Sequence, residues 1–416
     1  MSSRPVSISH DELASVLPPG GLTLVSSCSA QSNDLLDMTA QAGNRLGDMC
    51  FTGIFVPGLN TKVWQAGESS RVLTFFQTPQ LRDLGERAVF LPLSYGQIRK
   101  YFAQNPPDAV MFMCAPPDRQ GMCSFGTECS FVADLWESAK TRIAHVNPAM
   151  PIPPGFPGIP WSEIDAYCET EQPLLSVPAS DPDPLSQQIA THLAPYVGDG
   201  ATLQTGLGKV PDALLDQLHD RKALTMHSGL IGDGVARLAR SGALAGPGSI
   251  LAGTAIGSEA LYGAIAADVF DFQPVSITHN VARIGAYPAF VALNSALEVD
   301  LYGQAYAEVS PKGAMSGPGG AFDYAMAARL SPNGLSVVAL PSSAKGGQIS
   351  RIAIPSQATG PVALNRLVID LVVTEHGVAD FRNASHQERA ERLIEIAAPQ
   401  FRSELQSAWS DIEKNL

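Results

Sequence analysis

Residues 186–220 read SQQIATHLAPYVGDGATLQTGLGKVPDALLDQLHD. A helical pattern starts just before them at Pro184 and puts Leu185, Ile189, Leu193 and Val197 on one face. The turn GDG then leads into a short strand, ATLQ, a glycine-rich polar loop and a second helix opening at Pro211. Residues 10–43, HDELASVLPPGGLTLVSSCSAQSNDLLDMTAQAG, repeat that order. Gly21, Thr23, Leu24, Leu35, Leu36 and Asp37 stand in the same sequence and spacing as Gly200, Thr202, Leu203, Leu214, Leu215 and Asp216. Two copies of a helix–turn–strand–loop–helix unit predict two similar open α/β domains.

Between the copies the chain is punctuated. NPAMPIPPGFPGIP (147–160) carries too much proline for a helix or a central strand. QPLLSVPASDPDP (172–184) reads as a linker, so the boundary is expected near residue 180, giving domains 1–180 and 181–416. Apolar runs at 109–115, 290–302, 335–340 and 367–374 read as further strands and alternate with helical segments such as SHQERAERLIEIA. That alternation predicts mostly parallel sheets with helices on their faces. In such sheets ligands bind where loops leave the carboxyl ends of the strands.

Composition narrows the function classes. A chain of 416 residues with 45% hydrophobic and 16% charged residues is long and apolar enough for two folded domains. The net charge of −13 argues against nucleic-acid binding, which calls for a basic field. No stretch reaches the roughly 18–20 apolar residues of a membrane helix. The N-terminus MSSRPVSISHDELASVL lacks a signal-peptide core, so a cytoplasmic location is expected. The six cysteines form no Cys-x-x-Cys pair and no zinc spacing, and neither a metal nor a redox cofactor is implied. They read as inert buried thiols, with Cys28, in a polar loop after a strand, as the exception to watch.

The C-terminal half holds an ordered run of motifs: QTGLGKVPD (204–212), MHSGLIGDGV (226–235), LNSALEVDLYGQ (293–304), SGPGGAFDY (316–324), ALPSSAKGGQISRI (339–352) and TEHGVADFR (374–382). In the first, Gly206 and Gly208 precede a helix whose N-terminal N–H groups suit an anion. It is neither a dinucleotide fingerprint nor a P-loop, since Pro211 takes the third glycine position and Val210 follows Lys209. Glu298 lies in an apolar run, where a carboxylate needs a partner or a function. Glycines 317, 319 and 320 can turn several N–H groups toward a developing oxyanion. Lys345 and Arg351 offer charge to phosphates.

This ordered set resembles the acetyl-CoA hydrolase/transferase family, which includes the 4-hydroxybutyrate CoA-transferases. DAVMFMCAPPDRQGMCSFG (108–126) and AHVNPAMP (144–151) extend the resemblance, more loosely, into the first half. It implies two domains of the CoA-transferase type, coenzyme A as acyl-CoA substrate, a small carboxylic acid as second substrate and a homodimer. It carries Gly206, Leu207, Gly208, Lys209, Val210, Leu297, Gly320 and Lys345 as contacts to coenzyme A. In the family a glutamate in the MHSGLIGDGV motif attacks the thioester; the matching residue here is Gly229. Glycine has no nucleophile. Three readings follow: direct attack by water with His227 or Glu298 as base, transfer through Glu298 as a relocated nucleophile, or a catalytically silent CoA-binding or assembly subunit.

Overall fold

The computed structural model describes residues 5–310 and 313–414. The chain divides into two compact units. The first is the chain up to Pro178 together with Ile250–Thr278 and Met315–Gly319; the second is Ala179–Ser249, His279–Ala314 and the chain from Gly320 onward. Both are α/β, with large and mostly parallel sheets.

In the first unit eight strands run in the order Val6–Ser7, Ala166–Glu169, Thr141–Val146, Ala109–Cys114, Leu22–Val25, Cys50–Gly53, Arg71–Thr74 and Ala88–Phe90. Every neighbouring pair is parallel. Apart from the edge strand Val6–Ser7, chain order runs outward on both sides from the junction of Leu22–Val25 with Ala109–Cys114, so the sheet reverses its winding there. All six residues of Ala109–Cys114 are buried, as a parallel strand covered on both faces requires. The parallel pair Ile250–Ala255 and Phe270–Phe272 also belongs to this unit.

In the second unit the order is Thr225–Ile231, Thr202–Gln204, Phe290–Ser295, Leu335–Ala339, Leu371–Thr374 and Gly377–Asp380. All pairs given for it are parallel except the last, an antiparallel hairpin at the edge. The winding reverses between Thr202–Gln204 and Phe290–Ser295. The two repeated strands, Leu22–Val25 and Thr202–Gln204, thus hold the same topological place in their units, which agrees with the repeat in the sequence.

Several expected elements are shorter or differently bounded. HDELASVL forms a 3₁₀ turn, His10–Glu12, and one helical turn, Leu13–Val16, because Pro18 and Pro19 end it. The second-unit helix runs Pro184–Leu193 with Asp183 as its N-cap. Ile189, Leu193 and Val197 are buried, but Leu185 is 37% exposed. The run 290–302 is two strands, Phe290–Ser295 in the main sheet and Glu298–Asp300 in a small separate one beside Ala305–Tyr306 and Ile352–Ala353. Asp300 holds the turn that follows Glu298–Asp300. Its buried carboxylate accepts from the Tyr302 and Gln304 amides, the Gln304 side chain and the Tyr306 hydroxyl, which satisfies a charge that burial alone would penalise. Likewise 367–374 is a strand only from Leu371 to Thr374.

Candidate active site

The reversal point of the second sheet places two loops side by side. One leaves Thr202–Gln204 as Thr205–Gly208; the other leaves Phe290–Ser295 as Ala296 and Leu297. The crevice at such a point is where ligands bind in open α/β sheets. A cleft of about 420 Å³ opens there, lined by Gly208, Lys209, Val210, Pro211, Ser295, Ala296, Leu297, Ala339, Pro341 and Arg351, with Asp183, Leu185, Ser186 and Ala307. Four of the expected coenzyme A contacts, Gly208, Lys209, Val210 and Leu297, therefore share one cavity with Arg351.

The helix starts at Lys209, two residues earlier than expected, and runs to Gln217. Gly208 caps it at φ 130°, a backbone region that favours glycine. A side chain at Gly206 would meet nothing within 4 Å, so that stretch of backbone lies open. Lys209 is not a free cation: its Nζ lies 3.1 Å from Asp183 Oδ2. The Ser186 amide and hydroxyl, followed by Lys209, hold the Asp183 carboxyl below its ordinary value. Arg351 is different. Its Nε is buried in the cleft wall and makes no hydrogen bond among the described residues. A buried donor without a partner is costly, and the guanidinium group it belongs to is on a residue that lines the cleft, where positive charge suits an anion. Leu185 and Leu207, each 37% exposed, add apolar surface in the same region of the chain.

Glu298 does not face this cleft. Adjacent residues of extended chain point to opposite sides, and with Leu297 in the first cavity Glu298 opens into a second, of about 230 Å³. Ser350, Ile352, Thr359, Phe401 and Glu404 are among its walls. Burial raises the Glu298 carboxyl above its ordinary value, against hydrogen bonds from Thr359 and the charge of Arg351. Lys345 lies at the exposed tip of the hairpin Ser343–Ala344/Ile349–Ser350, at φ 50°, and lines neither cavity.

The remaining motif residues gather elsewhere in the second unit. His227 is buried on Thr225–Ile231, with Nδ1 3.4 Å from the Tyr287 hydroxyl. Its neighbour Ser228 turns to the other side, its Oγ 2.8 Å from the carbonyls of Thr205 and Leu230. Gly229 again shares the face of His227, two residues on. Beside Gly229 stands a residue the sequence did not bring forward, His279. A Cβ built on Gly229 falls 2.3 Å from His279 Cε1, 2.7 Å from its Nε2 and 2.9 Å from Tyr324 Oη. A Cβ on Gly320, the N-cap of helix Ala321–Leu330, falls 2.4 Å from the same Nε2. The rings of His279 and Tyr324 lie 4.8 Å apart. The available signal was a histidine before Asn280, which caps the next helix, but nothing local ties it to residue 229.

Cys28, the exception among the thiols, is not reactive by environment. It is buried in the first unit, and burial together with Glu128 pushes its thiol well up. The loop SSCSAQSN (26–33) that holds it is buried apart from Asn33, which is half-buried.

Comparison with known proteins agrees with this architecture. Residues 257–409 match the acetyl-CoA hydrolase/transferase C-terminal domain. The chain is 34% identical over 332 residues to the 4-hydroxybutyrate coenzyme A transferase of Clostridium kluyveri, covering 78% of this chain and 77% of that protein. Its fold superposes on RipA from Yersinia pestis with a TM-score of 0.90 at 26% identity, covering 98% of each chain. It superposes on a 4-hydroxybutyrate CoA-transferase from Porphyromonas gingivalis with a TM-score of 0.81 at 28% identity, covering 99% of this chain and 98% of that one. The chain belongs to the acetyl-CoA hydrolase/transferase family and is an enzyme of the CoA-transferase or acyl-CoA hydrolase type.

Proposed function

We propose that this enzyme cleaves a coenzyme A thioester of a small carboxylic acid by direct attack of water, without a covalent glutamyl intermediate. Coenzyme A binds in the cleft at the reversal point of the second sheet. Gly206, Leu207, Gly208 and Val210 approach it through backbone and apolar surface, Leu297 packs against it, and Arg351 pairs with its phosphates. Lys209 joins once its pair with Asp183 opens, while Gly320 and Lys345 are contacts on the reacting side and at the rim.

The observation that carries the reading is the absence of any side chain at Gly229. A thioester near that strand meets no carboxylate from it, and the splitting of transfer into two covalent steps needs a nucleophile. His227 lies on the same strand face and is proposed to act in the reacting centre. Glu298 was the other candidate; its position in a separate cavity speaks against the relocated nucleophile. We take the domains to divide near residue 180 and the working form to be a cytoplasmic homodimer.

The test is thiol release from acetyl-CoA and longer acyl-CoAs, with and without acetate. Thiol that appears at the same rate without acceptor supports hydrolysis. Strict dependence on acetate, with exchange of the acyl group, contradicts it and restores transfer. Tight binding of coenzyme A with neither reaction identifies a silent subunit.

A further inference from the structure

We infer that the imidazole of His279 occupies the space a side chain at residue 229 would fill and is the general base of the reaction. The inference rests on the proposed hydrolysis and names the group that accepts the proton. Two glycines far apart in sequence, Gly229 and Gly320, each lack a Cβ where one would strike Nε2 of His279, together with Cε1 on the Gly229 side and Cδ2 on the Gly320 side. Each belongs to one of the motif segments, and neither has a positive φ that would demand glycine for backbone reasons. Their common cause is steric: the ring of His279, only 5% exposed, needs both gaps. Tyr324 packs beside the ring, and its hydroxyl reaches the same point next to Gly229.

This arrangement exchanges a carboxylate that would bond to the acyl group for an imidazole that activates water. His279 takes a proton from water as the water oxygen bonds to the thioester carbonyl carbon. The carbon–sulfur bond then breaks, and the departing thiolate receives that proton from the imidazolium. Acyl-CoA and water become a carboxylic acid and coenzyme A thiol, with no other reactant. His227, on the same strand face as Gly229, is left to orient the acyl group.

Two measurements on the full chain test the inference. The first is the melting temperature of Gly229→Ala, His279→Ala and the double variant. We expect Gly229→Ala alone to lower it by several degrees, and the same change to cost little in the His279→Ala background. Additive losses overturn the steric exchange. The second is acyl-CoA turnover by His279→Gln, a variant that fills most of the ring's space. The expected result is a fall in kcat of about 100-fold or more with KM little changed, loss of the limb a histidine base imposes on the pH profile, and partial rescue by added imidazole. Turnover within a few-fold of wild type, or an unchanged pH profile, overturns the catalytic role. If the wild-type protein binds coenzyme A but releases no thiol, that role also falls. If it does not bind coenzyme A, the proposed function itself has failed, and the melting temperatures still decide the steric claim.

Discussion

Replacing Glu128 with glutamine isolates one buried charge of the first unit. Glu128 is 4% exposed and sits beside that sheet's own reversal point. Its Oε2 accepts from the Ser27 amide at 2.6 Å and its Oε1 from the Ser27 hydroxyl at 2.8 Å. Leu24, Val25, Phe75, Phe102 and Phe131 line the small void around it. Desolvation in these apolar walls outweighs the hydrogen bonds from Ser27 and Cys28 and lifts the carboxyl from 4.5 to about 7. The folded state therefore favours the proton-bound form. Below the unfolded value of 4.5 both states hold the proton and the associated stability is fully present. It is lost as pH rises through 7, when the native carboxylate must ionise in place. A shift of this size corresponds to about 3 kcal/mol. Glu128→Gln keeps the shape and removes the ionisation. Native-state hydrogen exchange at the amides of Leu22–Val25, corrected for intrinsic rates, reads the first unit by itself. Between pH 4.5 and 8 the wild-type protein is expected to lose about 3 kcal/mol more protection than the variant. Parallel pH curves for the two proteins refute the reasoning.

Three further expectations concern the second unit. Arg351→Gln removes a cation from the cleft lining; titration calorimetry is expected to show coenzyme A binding weakened about 10-fold or more, as for a lost hydrogen bond to a charged group. Glu298→Gln is expected to change kcat by less than about 10-fold, whereas loss of a covalent nucleophile costs several orders of magnitude. Ser385 caps the helix His386–Ile396 in a capping box with Glu388, and Ser385→Ala is expected to cost about 1 kcal/mol in urea denaturation with activity retained.

Much of the frame was legible because it is local. Gly200 through Asp216 carry turn, strand and helix signals in immediate succession, and the earlier copy in residues 10–43 shows the same unit twice. The fully apolar run at Ala109–Cys114 could only be a covered strand. What escaped depends on chain reversals and on which way a side chain turns. Leu297 and Glu298 are adjacent in sequence and part company into two cavities, because extended chain alternates its faces. The break between Ser295 and Glu298, where the chain leaves the main sheet for a small separate one, is concealed by an unbroken apolar run. His279 meets Gly229 and Gly320 only through tertiary packing, at separations of 50 and 41 residues along the chain. Glu128 lies in a segment rich in serine and cysteine, and its burial follows from Ser27, about a hundred residues away.

The intact mass of the protein during turnover of an acyl-CoA tests the central claim most directly. The account predicts free thiol accumulating while the protein keeps its unmodified mass, with no adduct trapped by borohydride or hydroxylamine. A covalent coenzyme A or acyl adduct on a glutamate that forms and decays at the rate of turnover contradicts it.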